Sequence, residues 1–475
     1  MSVPSLVVVR NVPSTVHPMG RTTKHAVVIG ASIGGLCAAR VLADFFDRVT
    51  VYERDDLPDG PVHRSAVPQG RHVHLLMARG AQEFEAHFPG LLDEMVAAGV
   101  PILENRPDCI HFGAAGHVLG THHRLQTEFT AYVPSRPHLE WQIRRRVTSI
   151  ANVDVVHAAV NEPRFDVARQ RVTGVVLDSS DAVDADLVVD AAGRGTRLPV
   201  WLAQWGFERP REDTVDVGIG YATHQLRIPD RLIAEKVIVA GASREQPLGL
   251  GMLCYEDGTW VLTTFGVGRF EPPHDFAGMC ALADEIVPAH IAAALRRGEP
   301  IGDVAFHKYP SSRWRRYDKL DRFPAGIIPF GDAVVSFNPT FGQGMTMTSL
   351  QTGHLRRVLE TPRADLARDF NRAAAKTTYP VWTMNAIGDL VLHRATGPMP
   401  WWYRPVGGLF DQFLGAAETD PVLAEWFLRR FSLLDSLYMV PSARLVGRTI
   451  RHNMRLWLSE KKAAARPTAV SAATG

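Results

Sequence analysis

The residues whose types and spacing suggest chemistry begin with a glycine-rich turn that follows a short apolar run. The turn reads Gly30-Ala-Ser-Ile-Gly-Gly, and the acidic residue Glu53 ends the next apolar run. Gly30 permits a tight turn, the small Ser32 lets a pyrophosphate approach the backbone, and Gly35 lets a helix lie close to a strand. Free N–H groups at a helix start attract phosphate, and Glu53 can accept hydrogen bonds from ribose hydroxyls. The residues predicted to contact a dinucleotide here are Gly30, Ser32, Ile33, Gly34, Gly35, Glu53 and Arg54.

A second group of chemically suggestive residues lies far along the chain. A short apolar run is followed by Gly331 and Asp332, then by a loop with Pro339, and then by Gly342-Gln-Gly344-Met345. Asp332 is placed to bind a polyol chain. The N–H groups that open the helix after Gly342 can stabilise negative charge on the pyrimidine edge of a reduced flavin. The pattern therefore predicts that Asp332, Gly342, Gly344 and Met345 contact the flavin part of FAD.

The elements that must position these residues are indicated by hydrophobic periodicity. Residues 26–29 form a buried-strand pattern, 35–42 have helical spacing, and 49–52 form a second strand, which together make a β-α-β unit. Alternation between 216 and 267 predicts an antiparallel sheet. The further predicted strands are 153–160, 172–177, 185–189 and 326–330, and the further predicted helices are 137–147, 344–359 and several within 366–458.

Length and composition limit the classes of protein that the chain can represent. With 475 residues we expect two or three lobes, and 46% hydrophobic with 21% charged residues excludes a mainly disordered chain. The 52 basic residues nearly balance the 50 acidic ones, so nothing in the overall charge favours nucleic acid as a partner. The four cysteines, Cys37, Cys109, Cys254 and Cys280, are far apart, so we expect neither a disulfide framework nor a cysteine zinc site, and a cytoplasmic location.

These patterns predict an α/β fold in which a Rossmann-like FAD-binding domain is combined with an antiparallel substrate-binding sheet and a helical C-terminal region. The predicted FAD-binding domain is discontinuous and comprises 23–95, 130–210 and 305–375. The predicted substrate-binding sheet comprises 96–129 and 211–304, and the helical region 376–460. Flexible tails are predicted at 1–22 and 461–475, because neither segment has regular periodicity.

The two flavin motifs together resemble those of the class A flavoprotein monooxygenases, the superfamily of FAD-dependent aromatic hydroxylases and epoxidases. The stretch from Val67 to His74, Val-Pro-Gln-Gly-Arg-His-Val-His, is similar to a loop of the branch that contains polyketide olefin epoxidases. The stretch from Ala185 to Gly195 is similar to the central motif of that branch. This resemblance implies that Arg71 and Arg136 approach FAD and that the backbone near Val160 contacts adenine.

The resemblance also implies a reaction. In this family NAD(P)H reduces the flavin, and a flavin hydroperoxide then passes one oxygen atom of dioxygen to a lipophilic aromatic or olefinic substrate. Because the cofactor performs this step, no catalytic side chain is assigned.

Many relatives carry Asp-Gly-x-x-Ser-x-x-Arg, whereas the matching stretch from Ala192 to Pro199 lacks both the Asp and the final Arg. NAD(P)H can therefore act directly or through a separate flavin reductase. The alternatives are an FAD-dependent reductase or dehydrogenase of prenyl or polyene chains, and a non-catalytic lipid carrier.

The remaining histidines and the C-terminal region bear on whether the chain binds a metal or a membrane. The pairs His72/His74 and His122/His123 lack neighbouring acidic or cysteine ligands, so no metal site is predicted. Between Pro421 and Lys462 eight basic and three acidic residues are interleaved with Trp and Phe. This favours helices packed on the catalytic lobe with a basic outer face, with peripheral membrane contact as the alternative. No transmembrane segment is predicted, because the longest apolar stretch, 26–43, contains an arginine and three glycines.

Overall fold

A computed structural model describes residues 23–64, 68–103, 105, 109–121, 124–127, 129–361, 365–391, 395–398, 401, 403–437 and 442–464. Residues 1–22, Val67, His122 and His123 lie outside this description, so the predictions made for them have no structural counterpart here. Of the tail predicted at 461–475, only 461–464 are described, and they form the end of a helix.

The strands and helices have the following bounds. The strands are β1 (His25–Ile29), β2 (Arg48–Glu53), β3 (Ile102–Leu103), β4 (Ile110–Ala114), β5 (His117–Val118), β6 (Ala131–Tyr132), β7 (Val153–His157), β8 (Val160–Asp166), β9 (Arg171–Leu177), β10 (Ala182–Asp184), β11 (Leu187–Asp190), β12 (Glu212–Arg227), β13 (Val237–Ala240), β14 (Leu248–Cys254), β15 (Trp260–Gly266), β16 (Glu299–Arg315), β17 (Ile327–Pro329) and β18 (Val335–Ser336). The helices are α1 (Ile33–Leu42), α2 (Ala78–His87), α3 (Leu91–Ala97), α4 (Arg136–Thr148), α5 (Leu198–Gln204), α6 (Phe276–Ile286), α7 (Ala289–Leu295), α8 (Gly344–Glu360), α9 (Leu366–Val391), α10 (Tyr403–Ala417), α11 (Pro421–Phe431) and α12 (Ala443–Ala464).

A five-stranded parallel sheet, in the order β17-β11-β1-β2-β7, carries the glycine-rich turn. Strand β1 is an almost unbroken apolar run, as expected for a parallel sheet that is covered on both faces. Side chains of α1, α4, α8 and α9 form one core against this sheet. Because the carboxyl ends of parallel strands share one edge, Glu53, Asp190 and Pro329 end their strands at the edge where Gly30 begins its turn.

An eight-stranded sheet, in the order β18-β16-β12-β15-β14-β13-β4-β5, forms the second layer. Its antiparallel pairs β12–β15, β14–β15 and β13–β14 confirm the alternation read between 216 and 267. The long strand β16 was not predicted, because Pro300, Gly302 and Pro310 interrupt its pattern. Strand β16 pairs with β12, and its other side pairs with the described strands only at Arg313 and Trp314, which contact β18. It is therefore an edge strand along most of its length and tolerates proline. It crosses the domain boundary predicted at 304/305, and those boundaries stay a prediction.

The C-terminal helices cover the eight-stranded sheet. Helix α9 contributes Val381, Trp382 and Leu390 to a core shared with β12, β15 and β16. Helices α10, α11 and α12 form a separate core with strand β4, to which Phe112 and Leu414 belong. Of the described residues, no helix is long and apolar enough to cross a membrane. The predicted combination of a Rossmann-like sheet, an antiparallel sheet and a helical C-terminal region is confirmed.

Candidate functional site

The glycine-rich turn has the backbone geometry that its sequence demands. Gly30 has a φ of +98° and donates its N–H to the carbonyl of Tyr52 at 2.8 Å. A Cβ on Gly35 would lie 1.8 Å from the carbonyl oxygen of Gly30, so only glycine fits where α1 crosses the turn. Ser32 is the N-cap of α1, and its side chain accepts no capping bond from the helix. The first N–H groups of α1 are therefore left for a ligand.

The acidic residue at the end of β2 is held at the turn. The Glu53 carboxylate accepts a hydrogen bond from the Ala31 N–H at 2.7 Å, and its side chain is almost fully buried. The guanidinium of Arg64 lies 3.0 Å from the same carboxylate oxygen. Glu53 is thereby fixed in orientation beside the turn, where a ribose hydroxyl can reach its remaining lone pairs.

Helix α4 adds a buried ionic cluster beneath the turn. Glu140 lies 2.8 Å from Arg64 and 2.9 Å from Arg136, and Arg136 also donates to the Ser32 hydroxyl at 2.9 Å. Burial alone would raise the pKa of the Glu140 carboxyl, but Arg136 and Arg64 outweigh this effect and hold its pKa below the ordinary value. The cluster holds the guanidinium groups of Arg64 and Arg136 next to the glycine turn, where their N–H groups can orient a bound pyrophosphate although Glu53 and Glu140 already balance their charge.

Asp332 follows the short strand β17 and faces a large cavity. Its side chain is exposed and lines that cavity, while the surrounding protein hinders solvation of the carboxyl group. This poor solvation raises the pKa of the Asp332 carboxyl, and the cations Arg136, Arg194 and Arg315 partly oppose the rise. Among the described residues we find no hydrogen bond to this carboxyl group. A ligand hydroxyl can supply the missing donor.

The start of α8 forms the next part of the cavity wall. Gly342 has a φ of +65° and a Cβ there would lie 3.1 Å from the Cε of Met77, so the loop can approach closely without a side chain. Gly344 begins α8 with nothing within 4 Å of its Cβ position. Gly342, Gly344 and Met345 all line the cavity, so the positive end of the helix dipole is presented to it.

One cavity of about 1890 Å³ joins these groups. Its volume exceeds the ~300–1,000 Å³ of a pocket for one drug-sized ligand, so it has room for a dinucleotide and a second molecule. The predicted site residues that line it are Gly30, Ser32, Ile33, Gly34, Glu53, Arg54, Arg136, Val160, Asp332, Gly342, Gly344 and Met345. Gly35 is buried under the turn and Arg71 is exposed outside the lining, so the contact of Arg71 with FAD stays a prediction.

The residues present fit FAD on three observations. The turn admits no Cβ at Gly30 or Gly35, the Asp332 carboxyl faces the cavity without a protein donor among the described residues, and the Nε atoms of Arg64 and Arg136 are buried without a partner in the same part of the chain. Their spacing suits a ligand with a pyrophosphate at the turn and a polyol chain at Asp332.

Beyond the flavin motifs the same cavity continues as a mainly apolar chamber. It lies between the eight-stranded sheet and the C-terminal helices. The apolar residues lining it include Phe112, Val239, Leu250, Phe265, Ile387, Phe410, Phe427, Phe431 and Leu445. A lining of this kind favours a lipophilic ligand and keeps bulk water away from it.

The chamber wall also carries polar groups that the protein leaves unsatisfied. Tyr221, Asn385 and Asp389 all line the cavity, and the Tyr221 hydroxyl, the Asn385 Nδ2 and the Asp389 Oδ2 are buried without partners in the described part of the chain. Asn338 donates to the Asp389 Oδ1 at 2.6 Å. Burial raises the pKa of the Asp389 carboxyl to about 7, although the hydrogen bond from Asn338 opposes the rise. Asp389 is therefore a candidate proton donor or acceptor at neutral pH.

Two histidines of the cavity wall, His72 and His74, have lowered pKa values and hydrogen-bond to the protein. His72 bonds through Nδ1 to the Thr223 hydroxyl at 2.6 Å, and burial lowers the pKa of His72 to about 3. His74 bonds to the carbonyl of His72 at 2.8 Å, and burial lowers its pKa to about 4. The described residues contain no group of three or more His, Cys, Asp or Glu arranged to hold a metal ion.

Sequence reasoning missed Arg64, Glu140 and Asp389. The pair Arg136 and Glu140 is spaced i,i+4, with Arg136 directly before the helix predicted at 137–147, so this signal was available. Arg64 lies in an irregular segment, and Asp389 lies in a helix far from the flavin motifs in sequence. No local pattern marks either of them, because both acquire their surroundings from distant parts of the chain.

Comparison with known sequences gives two relatives and one domain match. Residues 397–463 match the family described as the Mycobacterium Rv3254 C-terminal domain. Over 463 residues the chain is 68% identical to Protein Rv3254 of Mycobacterium tuberculosis (strain ATCC 25618 / H37Rv), which covers 94% of this chain and 98% of that protein. It is also 26% identical over 359 residues to a Kynurenine 3-monooxygenase of Salinispora arenicola (strain CNS-205), covering 69% of this chain and 70% of that protein.

Comparison with solved structures identifies the fold. The p-nitrophenol 4-monooxygenase PnpA from Pseudomonas putida DLL-E4 matches with a TM-score of 0.61 at 16% identity, covering 88% of this chain and 99% of that chain. The resemblance to the class A flavoprotein monooxygenases is thereby confirmed at the level of the fold. The chain belongs to the family of Protein Rv3254, and its fold is that of the FAD-dependent monooxygenases.

Proposed function

We propose that this chain is an FAD-dependent monooxygenase that inserts one oxygen atom of dioxygen into a lipophilic aromatic or olefinic small molecule. The observation that carries the proposal is the single cavity that joins the dinucleotide turn to the apolar chamber. Bound FAD would supply the redox and oxygen chemistry. The chain itself supplies binding, orientation and exclusion of water.

The roles of the FAD-binding residues form part of this proposal. The turn at Gly30 and the start of α1 hold the pyrophosphate, assisted by Arg64 and Arg136. Glu53 accepts hydrogen bonds from the ribose hydroxyls and Asp332 from the polyol chain. The N–H groups at the start of α8 favour negative charge on the nearby ring edge. We also propose that Ile33, Gly34, Arg54, Arg71 and Val160 contact FAD.

The chamber supports a substrate with an apolar body and at least one polar group. An apolar body would replace water along the chamber wall, and a hydroxyl or carbonyl group would satisfy the buried Tyr221, Asn385 and Asp389 atoms. Asp389 can hold or accept a proton there, because its pKa is about 7. Hydroxylation and epoxidation both fit this description.

The electron donor is proposed to be NAD(P)H, acting directly or through a separate flavin reductase. Arg194, in the stretch that departs from the common motif, donates to Ser311 and Ser336 at 3.1 Å and stacks on Tyr309. This leaves Arg194 engaged by the protein rather than by a phosphate group of NAD(P)H. A cytoplasmic location is proposed on the cysteine spacing alone.

The test starts with the purified full chain. Yellow protein with an oxidised-flavin spectrum supports FAD binding, and protein without flavin that still binds polyenes would favour the lipid carrier. Dioxygen uptake is then measured with NADH or NADPH, with and without an added flavin reductase, in the presence of candidate phenols and polyenes. Incorporation of labelled oxygen from dioxygen into product supports the monooxygenase. Flavin oxidation or reduction coupled to a change in substrate double bonds, without labelled oxygen in product, would favour the reductase or dehydrogenase.

A further inference from the structure

Helix α12 carries an exposed apolar stripe. Val446, Ile450, Met454 and Trp457 are 42%, 53%, 59% and 54% exposed, although each is a large apolar side chain. Their spacing of four, four and three residues places them on one face of a helix. Large contiguous apolar patches are uncommon on monomers, and they mark surfaces that contact another phase or another molecule.

A basic stripe runs beside the apolar one. Arg444, Arg451 and Arg455 are exposed and are spaced seven and four residues apart, so they share the neighbouring face of α12. Lys461 lies 3.9 Å from the centre of the Trp457 ring and brings a further positive charge to the end of the apolar stripe. An apolar face bordered by Arg, Lys and Trp is typical of a helix that lies in the interface of an anionic membrane.

The apolar stripe is continuous with the mouth of the apolar chamber. Val446 and Ile450 are exposed on α12 and also line the cavity, and so does Leu409 of α10, which is 62% exposed. Leu445 and Phe410 lie deeper in the same lining. The chamber therefore opens between α10 and α12, through an apolar rim that leads from the protein surface to the proposed substrate position.

The charges indicate which occupant this surface fits. A second copy of the chain would place the two basic stripes close together around a shared apolar contact, and like charges oppose such a contact. Anionic lipid headgroups instead attract arginines beside an apolar face, and lipid chains accept the apolar side chains. Because no described helix is suited to spanning a membrane, α12 would lie on the surface of the bilayer.

We propose that the apolar and basic stripes of α12 dock on an anionic membrane and that the lipophilic substrate enters the chamber from the bilayer between α10 and α12. The route of the substrate rests on the proposed function. The membrane contact itself does not, because it follows from the surface of α12.

The first experiment measures membrane binding by the flavin-loaded full chain. Flotation is compared with vesicles of phosphatidylcholine alone and of phosphatidylcholine mixed with phosphatidylglycerol. We expect binding to the mixed vesicles that falls as salt is raised. Two double variants, Met454→Gln with Trp457→Gln and Arg451→Glu with Arg455→Glu, should each bind at least tenfold less. A control, Val167→Gln with Arg209→Glu, changes exposed residues in loops outside α12 and should bind like the wild-type chain.

The second experiment measures transfer of a lipophilic probe and does not depend on catalysis. Parinaric acid, a fluorescent polyene, is offered either free in solution or dissolved in the mixed vesicles. Met454 and Trp457 do not line the cavity, so their double variant should bind the free probe with unchanged affinity. It should take up the probe from vesicles at least tenfold more slowly than the wild-type chain.

The possible results distinguish the proposed membrane contact from the proposed monooxygenase activity. If the wild-type chain fails to float with anionic vesicles, or the α12 variants float equally well, the membrane contact is wrong. A dimer that dissociates on Met454→Gln with Trp457→Gln, without any vesicle binding, would also overturn it in favour of a second copy. Vesicle binding and probe transfer without any oxygenation would uphold the membrane contact while the proposed monooxygenase activity fails.

Discussion

At the scale of single residues, the tightest constraint lies at Gly35. An added Cβ would overlap the Gly30 carbonyl oxygen at 1.8 Å, and neither atom can rotate away, because the oxygen belongs to the backbone and the Cβ position is fixed by the backbone. We predict that Gly35→Ala loses flavin on purification and lowers the free energy of unfolding by at least the ~1–3 kcal/mol typical of overpacking. Gly60→Ala is the matched control, because its Cβ meets nothing within 4 Å. Flavin content and urea unfolding measure both effects, and full flavin content in Gly35→Ala would contradict the assigned turn.

A second prediction at the scale of single residues concerns the contribution of Asp332 to FAD affinity. Because its carboxyl faces the cavity and is poorly solvated, a hydrogen bond to a ligand hydroxyl should contribute to affinity without stabilising the empty fold. Asp332→Ala should weaken FAD binding by about 1.5–3 kcal/mol, or roughly 10- to 150-fold in Kd. Asp321→Ala, at an exposed position, should leave the Kd unchanged. Fluorescence titration of FAD into flavin-free protein gives both values, and equal Kd values would assign Asp332 a purely structural role.

Because the pKa of Asp389 is raised, we expect the free energy of unfolding to depend on pH. Its pKa is raised from 3.8 to about 7 in the folded state, so the folded protein retains a proton that the unfolded chain releases between these values. Raising the pH across this window therefore destabilises the wild-type fold. Relative to wild type, Asp389→Asn should gain about 1.4 kcal/mol of unfolding free energy per pH unit between about pH 4 and pH 7, and no more above that. Urea unfolding at several pH values tests this, with Asp321→Asn as a control, and parallel curves would rule out the raised pKa.

At the scale of elements, helix α4 is tied to the glycine turn by charge. Glu140 is the shared partner of Arg64 and Arg136, and its side chain is almost fully buried with theirs. Removal of Glu140 would leave Arg136 charged without its acidic partner in a poorly solvated position, while Arg64 would keep Glu53. The cluster thus couples the irregular segment that contains Arg64, the helix α4 and the start of α1 into one support for the cofactor.

This coupling makes a prediction for stability. Glu140→Ala should lower the free energy of unfolding by roughly 3–5 kcal/mol, the usual cost of breaking a buried ion pair. Glu208→Ala removes an exposed carboxylate from a loop and should change it by less than about 0.5 kcal/mol. Chemical unfolding of the two variants beside the wild-type chain provides the measurement. A cost for Glu140→Ala as small as that of the control would show that the two arginines find other partners.

At the scale of the whole molecule, the proposed cofactor site is shared by segments that are distant in sequence. The cavity wall combines the turn after β1, the end of β2, the start of α4 and the start of α8. A ligand that touches all of them binds only the folded chain and therefore stabilises it. FAD at 100 times its Kd should add about 2.7 kcal/mol to the free energy of unfolding. Riboflavin, which lacks the pyrophosphate and adenosine, should raise the Tm far less at equal concentration, and equal shifts would argue against a site that spans the turn and Asp332.

The sequence by itself determined the local parts of this site. Gly30, Gly35 and Glu53 lie within one β-α-β unit, where turn geometry and strand length fix their relative positions. Asp332 and Gly344 are likewise fixed by a strand, a short loop and a helix start. In each case the chemistry depends on backbone conformation over a few residues, and such conformations are encoded by residue type and spacing.

Only the tertiary structure determined the buried ion pairs, the unsatisfied polar groups of the chamber and the exposed surface of α12. The partnership of Arg64 with Glu140 joins positions 76 residues apart, and the unsatisfied groups of Tyr221 and Asp389 meet only because α9 covers the eight-stranded sheet. The exposure of the α12 stripe also depends on which helix faces find partners in the fold. A pKa, a cavity and an exposed surface are each set by what surrounds a residue in space, and neighbours that are distant in sequence leave no local periodicity to read.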